Sequence, residues 1–296
     1  MKMVVPTVVV LLATAAYGAG VVEPGAKVEK LSGDFKFTEG PAADAAGNVY
    51  FTDQPNDRIM VWSVDGVLST FMQPSGRSNG LCFDGKGNLL ACADEKNELW
   101  SIDVKTKKAT VLLKDFQGKL LNAPNDLWVH PDGSIYFTDP MYARDYWKRD
   151  PKPQQDGQHV YRLAPGAQAA ERVVTDFKQP NGIIGTPDGK TLYVADIGDR
   201  KTWAFDVGAG GKLSNKRLFC EMGSDGMTID SEGNVYLTGR GVAVFDKGGN
   251  KVEQIDVPEG WSANVCFGGK DGRTLFITAS KGLYAIKTRT GRAGSQ

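Results

Sequence analysis

Apolar positions in this chain recur in runs of about four, with no helical spacing from residue 20 onward. The clearest runs are Val49-Tyr50-Phe51-Thr52, Leu89-Leu90-Ala91-Cys92, Ile135-Tyr136-Phe137-Thr138, Leu192-Tyr193-Val194-Ala195, Val235-Tyr236-Leu237-Thr238 and Leu275-Phe276-Ile277-Thr278. Short runs rich in β-branched and aromatic residues predict buried strands. Each follows a turn: Ala46-Gly47-Asn48, Lys86-Gly87-Asn88, Pro131-Asp132-Gly133, Pro187-Asp188-Gly189, Glu232-Gly233-Asn234 or Lys270-Asp271-Gly272. Gly, Asn and Asp accept the positive φ that tight hairpins need.

A third strand is expected after each run, marked by an aromatic, any residue, then an apolar residue. Trp62/Val64, Trp100/Ile102, Tyr161/Leu163, Trp203/Phe205 and Tyr284/Ile286 fit, and the fifth repeat has Ala243 before Phe245. Alternation places these rings on one face, packed between neighbouring sheets. A position repeated this often is better explained by core packing than by a ligand-stacking stripe. A weaker fourth strand is visible in Ser69-Thr70-Phe71, Thr110-Val111-Leu112, Arg172-Val173-Val174, Arg217-Leu218-Phe219 and Val252-Glu253-Gln254-Ile255. The sixth repeat lacks one. Lys27-Val28-Glu29-Lys30-Leu31 can supply it, which would leave no open sheet edge.

Ahead of each turn, the first strand opens on an acidic or amide residue: Glu39-Gly40-Pro41, Asn79-Gly80-Leu81, Asn125-Asp126-Leu127, Asn181-Gly182-Ile183, Asp225-Gly226-Met227 and Asn264-Val265-Cys266. The spacings are 40, 46, 56, 44 and 39 residues, the repeat length of a propeller blade. We therefore expect an all-β fold, a six-bladed β-propeller, forming a single domain over residues 20–296. Innermost strands of a propeller start at the same end of the central channel, so these side chains converge. Glu39, Asn125, Asn181 and Asp225 supply two carboxylates and two amide oxygens, a neutral site for a hard divalent cation such as Ca²⁺. Mg²⁺, Mn²⁺ or Zn²⁺ could substitute in an open site. A single Asn-Gly reads as a turn cap; four such residues at matched positions read as ligands. Asn79 faces the same rim and substrate, Asp126 is placed to orient Asn125 and join the substrate contacts, and Asn264 reads as structural.

The longest departure from the repeat is the third one. After Thr138-Asp139-Pro140 comes Met141-Tyr142-Ala143-Arg144-Asp145-Tyr146-Trp147-Lys148-Arg149, then a polar stretch to His159. Insertions in a propeller sit on its rims. Tyr142, Arg144 and Tyr146 combine flat apolar contact with charged donors, suited to a polar ring-shaped ligand; the alternative is a solvated loop. His130 lies in a turn and His159 opens a strand, so neither has a nucleophile to serve. No Gly-x-Ser-x-Gly run supports a serine hydrolase.

Charge narrows the partners. The 35 basic and 35 acidic residues balance to zero, and no basic stripe suggests nucleic acid. The start differs from the rest: Met1-Lys2-Met3 precedes an apolar stretch from Val4 to Ala16, with small residues at Ala16 and Gly18. This reads as an export signal over residues 1–19, cut near Gly18 or Ala19. The stretch is short for a membrane span, with an uncleaved anchor as the alternative. The expected location is periplasmic or secreted, without stable membrane insertion after cleavage; oligomeric state is left open. Cys82, Cys92 and Cys266 lie in apolar strands as small buried hydrophobes. Cys220 has no evident partner, and the absence of a CxxC pair argues against a thiolate zinc site.

The ordered set Glu39-Gly40-Pro41, Asn79-Gly80-Leu81, Pro124-Asn125-Asp126, Thr138-Asp139-Pro140, Pro180-Asn181-Gly182 and Asp225-Gly226-Met227, closing with Phe267-Gly268-Gly269 and Thr274-Leu275-Phe276-Ile277-Thr278, resembles the gluconolactonase/regucalcin family over about residues 30 to 287. The resemblance implies a six-bladed propeller with a divalent cation in its channel, hydrolysing sugar lactones and, in relatives, other esters and organophosphates. It implies Glu39 and Asn181 as metal ligands, Asp225 as ligand and general base, and Asn125 on metal or substrate. The cation would polarise the lactone carbonyl. Regucalcin-type members carry an arginine two residues before that Asn, where this chain has Ala123. The rival reading is an exported, non-catalytic protein that binds a sugar acid or lactone.

Overall fold

The computed structural model describes residues 20–294; the expected leader lies outside them. Six four-stranded antiparallel sheets make the fold. Their inner strands are Thr38–Ala43, Leu81–Phe83, Leu127–Val129, Pro180–Gly185, Met227–Ile229 and Ser262–Gly268. The sixth blade takes its outer strand from the other end of the chain: Glu29–Ser32 pairs antiparallel with Gly282–Lys287, Glu29 opposite Ala285 and Lys30 opposite Tyr284. This is the closure expected from the missing strand. Among the described residues the only helical elements are single 3₁₀ turns such as Gln54–Asn56 and Asp94–Lys96.

Hairpins form where Gly and Asn predicted them, and the structure adds their clasp. Asp44 Oδ1 accepts the N–H groups of Ala46 and Asn48 while Oδ2 accepts the Asn48 amide. Asp84 with Asn88 and Asp230 with Asn234 repeat it. A carboxylate that satisfies the turn's own donors fixes hairpin register without help from the core.

Six apolar cores fill the seams between successive blades, one per seam. Leu90, Cys92 and Leu99 of the second blade meet Leu127, Phe137 and Tyr161 of the third, where the Phe137 and Tyr161 rings stack at 5.3 Å. Equivalent clusters join the sixth blade to the first and the fifth to the sixth. The aromatic positions of the third strands serve these seams, with one correction. In the first blade Phe51 pairs with Met60, and Val49 pairs with Trp62. Met60 and Trp62 therefore take the places assigned to Trp62 and Val64, and Val64 lies beyond the strand, which ends at Trp62. The flexible thioether fills the seam position that an aromatic fills elsewhere.

The far end of the described chain runs under the ring. Ser231 N–H donates to the Gly291 carbonyl and Arg292 N–H to Gly272, and the Arg292 guanidinium donates to the carbonyls of Ala43 and Asp44. Arg292 and Ala293 line, from below, a channel cavity of about 80 Å³ that all six blades also line. All four cysteines are buried and free, and burial pushes the Cys82 and Cys266 thiols up to about 12.

Deleting residues 20–32 would strip the closing strand and expose Gly282–Lys287 as an edge, removing Val21 from the last seam as well. Thermal unfolding should then start at least about 10 °C lower, at roughly 2–4 °C per kcal/mol lost for a chain of this size, with oligomers in size-exclusion chromatography. A monomer melting with the full-length protein would show that the ring does not depend on this pairing.

Candidate functional site

Side chains converge at one end of the channel because each inner strand starts there, and three of the starts are clamped by carboxylates. Asp53 accepts the Lys36 N–H at 2.9 Å, just ahead of Glu39. Asp139 accepts the N–H groups of Asn122 and Ala123 at 2.9 and 2.8 Å, ahead of Asn125. Asp196 takes those of Lys178 and Gln179 at 2.9 and 2.8 Å, ahead of Asn181. Three carboxylates from neighbouring strands thus fix the approach to three of the expected ligands. Gly40 and Gly226 let adjacent starts close up. A Cβ on Gly40, which has φ of +34°, would collide with the Asn79 carbonyl, and one on Gly226 with the Asn264 amide.

Glu39 is buried, its Oε2 accepting the Gly40 N–H at 2.9 Å. Burial first, then the charge of Asp225, holds its carboxyl well above the usual carboxylate range. Burial also raises Asp225, against the opposing pull of its hydrogen bonds and of Arg144. Asp225 Oδ1 accepts the Asn181 amide N–H at 2.8 Å, and Oδ2 accepts the indole N–H of Trp261 at 2.6 Å. The Asn181 amide nitrogen also donates to the Tyr142 hydroxyl at 2.9 Å. Its carbonyl oxygen is buried without a partner. Asn79 and Asn125 are buried in the same ring of strand starts, and the Asn125 carbonyl accepts the Gly80 N–H at 2.7 Å.

Two expectations change in detail. Asp126 makes no hydrogen bond to the Asn125 amide. Its Oδ1 accepts the Leu127 N–H at 2.9 Å, and it lines the cavity beneath the ring with Asn264, Cys82 and Arg292. Burial there pushes it up to about 7. Asn264 Oδ1 accepts the Val265 N–H at 2.8 Å. Tyr146 is a tether. Its hydroxyl donates to Gln54 Oε1 at 2.9 Å, and Gln54 in turn donates to Asp94 at 2.6 Å. Asp94 lies 3.6 Å from Arg149, and the Arg77 guanidinium sits 4.9 Å over the Tyr146 ring. The 141–149 insertion is therefore tied across the first two blades, with Tyr142 and Arg144 left at the channel mouth.

Trp261 was missed from sequence, as was the Gln54–Asp94–Arg149 tether. Trp261 sits in an irregular stretch ahead of the sixth blade with no repeat position to mark it. An exposed Trp between Gly260 and a strand start was the available signal.

Among the described residues no three His, Cys, Asp or Glu side chains cluster as metal ligands; the donors at the mouth are two carboxylates and amides. They suit a hard cation. The Asn181 carbonyl oxygen is an orphaned acceptor beside Asp225, whose carboxyl is raised along with that of Glu39. A bound cation would relieve both costs, and Glu39, Asn125, Asn181 and Asp225 are the residues that would hold it.

A closed six-bladed ring whose inner-strand starts present carboxylates and amides at one mouth defines a class of channel-site propeller. The chain belongs to the family described as SMP-30/Gluconolactonase/LRE-like region, which matches residues 37–281. It is similar to the gluconolactonase of Zymomonas mobilis, 26% identical over 91% of this chain and 83% of that protein. It is also similar to the diisopropyl-fluorophosphatase of Loligo vulgaris, 25% identical over 93% and 95%. The solved gluconolactonase of Xanthomonas campestris superposes with a TM-score of 0.82 at 29% identity, over 93% of this chain and 92% of its own.

Gly40→Ala should destabilise the fold by about 2–4 kcal/mol, since backbone must move to admit the methyl group. It should displace Glu39 at the same time. Denaturant titration checks the first, and a Gly87→Ala control, at a positive-φ turn with open surroundings, should cost less. Equal losses would mean that backbone conformation, and not close approach, constrains Gly40.

Proposed function

We propose that this protein is a metal-dependent hydrolase of sugar lactones, working at the mouth formed by Glu39, Asn125, Asn181 and Asp225, in an exported compartment. The pair Glu39 and Asp225 around the unpartnered Asn181 oxygen carries the reading, and family membership with gluconolactonase relatives supports the substrate class. The ion best suited to this oxygen set is Ca²⁺, with Mg²⁺, Mn²⁺ or Zn²⁺ as substitutes.

A divalent cation, when bound, supplies Lewis acidity for the lactone carbonyl and charge to offset the oxyanion. The protein's own groups do the rest. Asp225 takes a proton from the attacking water as the new C–O bond forms, and returns it to the ring oxygen as the lactone C–O bond breaks. Trp261 and Asn181 hold the Asp225 carboxylate in place through its two oxygens. Tyr142, through Asn181, ties the insertion to the same group. Asn79, Asn125, Asp126, Tyr142, Arg144 and Tyr146 make up the proposed substrate surroundings, with Tyr146 and Asp126 acting through the tether and the ring floor.

One observation favours a second reading, a non-catalytic lactone or sugar-acid binder: both Asp225 oxygens already accept hydrogen bonds, which lowers their basicity. Turnover decides. A panel of sugar lactones, followed by acid release, should show hydrolysis that is lost on chelation and restored by added cation. Glu39→Gln and Asp225→Asn should each reduce it at least about 10²-fold and weaken cation binding in calorimetry. Wild-type cation affinity in both variants would remove these residues from the site, and a well-folded, cation-loaded protein that turns over no lactone would leave the binder.

A further inference from the structure

Buried polar groups in folded proteins find partners in the protein, in water or in a ligand, so those without a protein partner are points where a ligand can bond. The channel mouth holds three such atoms, and they differ in sign. The Asn181 carbonyl oxygen is an acceptor awaiting a donor or cation. The other two are donors: the side-chain nitrogen of Asn79, a residue only 2% exposed, and Nε of Arg144. Asn79 stands in the ring of strand starts between Glu39 and Asn125.

Arg144 differs from the other arginines of the rim. Arg77 pairs with Glu95 at 3.3 Å, and Arg149 pairs with Asp94 at 3.6 Å and donates to the Asn122 carbonyl at 2.7 Å. Among the described residues the Arg144 guanidinium makes no hydrogen bond or ion pair; it lies 5.2 Å from the Tyr142 ring. The Tyr142 hydroxyl accepts the Asn181 amide at 2.9 Å, which puts Arg144 beside the mouth. With a divalent cation loaded, Glu39 and Asp225 are neutralised. Arg144 then keeps its positive charge at the mouth, on a half-buried side chain whose Nε is buried and unpartnered, where an anionic ligand would satisfy it.

We propose that Arg144 and Asn79 form a carboxylate subsite, so that the loaded mouth selects monoanionic ligands: the hydroxy-carboxylate that lactone opening releases, and lactones that carry a free carboxylate. A guanidinium can meet both carboxylate oxygens at once, and charge-assisted bonds of this kind are about twice as strong as neutral ones. The proposal rests on the lactone reading for the ligand's class, but the subsite itself is independent of turnover.

Calorimetry with D-gluconate and its neutral isostere D-gluconamide tests it, on cation-loaded and on chelator-treated protein. Gluconate should bind the loaded protein at least about tenfold more tightly than gluconamide, and chelation should erase most of that preference. Arg144→Gln should weaken gluconate by about 10- to 100-fold and leave gluconamide within about threefold; Arg144→Lys should recover part of the loss. Equal affinities for the two probes in the loaded wild type would overturn the proposal. So would an Arg144→Gln variant that loses both probes equally, since Arg144 would then only shape the loop. A protein that prefers gluconate yet opens no lactone would sink the hydrolase reading and leave the subsite standing; one that opens lactones without that preference would do the reverse.

Discussion

Blade-on-blade burial is the interaction on which this molecule depends. No single four-stranded sheet here can bury both of its faces, so each leans on the next, and the six seams must close into a ring for any of them to be complete. Fully burying one large apolar side chain contributes about 1.5–3 kcal/mol, and Phe51, Leu99, Tyr161 and Tyr236 all reach that state only between blades. The pairing of Glu29–Ser32 with Gly282–Lys287 is the step that completes the circuit. It also decides the chemistry, because residues from five blades meet at the mouth only when the circle is whole.

The ring then imposes a cost that the mouth absorbs. Converging strand starts press Glu39 and Asp225 into a poorly solvated space where charge is disfavoured. Clamps set back from the mouth fix the arrangement: Asp53 on the backbone ahead of Glu39, Asp139 ahead of Asn125, Asp196 ahead of Asn181, and Trp261 and Asn181 on Asp225 itself. Burial that disfavours charge, kept in place by surrounding hydrogen bonds, is an electrostatic setting that favours a bound cation over two bare carboxylates.

The sequence carried the fold well because its signals are local and repeated. A turn such as Glu232-Gly233-Asn234 and a run such as Val235–Thr238 declare a hairpin without reference to the rest of the chain, and six copies fix the count. The ring of openings was legible for the same reason. What escaped was non-local. Trp62 was placed two residues out of register because only its partner Val49, across the hairpin, shows which position faces the seam. Trp261 reaches Asp225 from 36 residues away. The tether from Tyr146 through Gln54 to Asp94 joins three blades. The direction of Asp126, downward into the cavity, follows from a backbone bond to Leu127 that no spacing rule reveals.

The segment under the ring, with Arg292 bonded to the carbonyls of Ala43 and Asp44 and Ala293 lining the cavity, narrows the channel at the end away from the strand starts. A propeller open at both ends could admit a molecule on one side and discharge another on the opposite side. Here the far end is narrowed by the chain's own tail, so the wider passage is the one beside the insertion. A molecule that leaves by it passes the same side chains that met it on the way in.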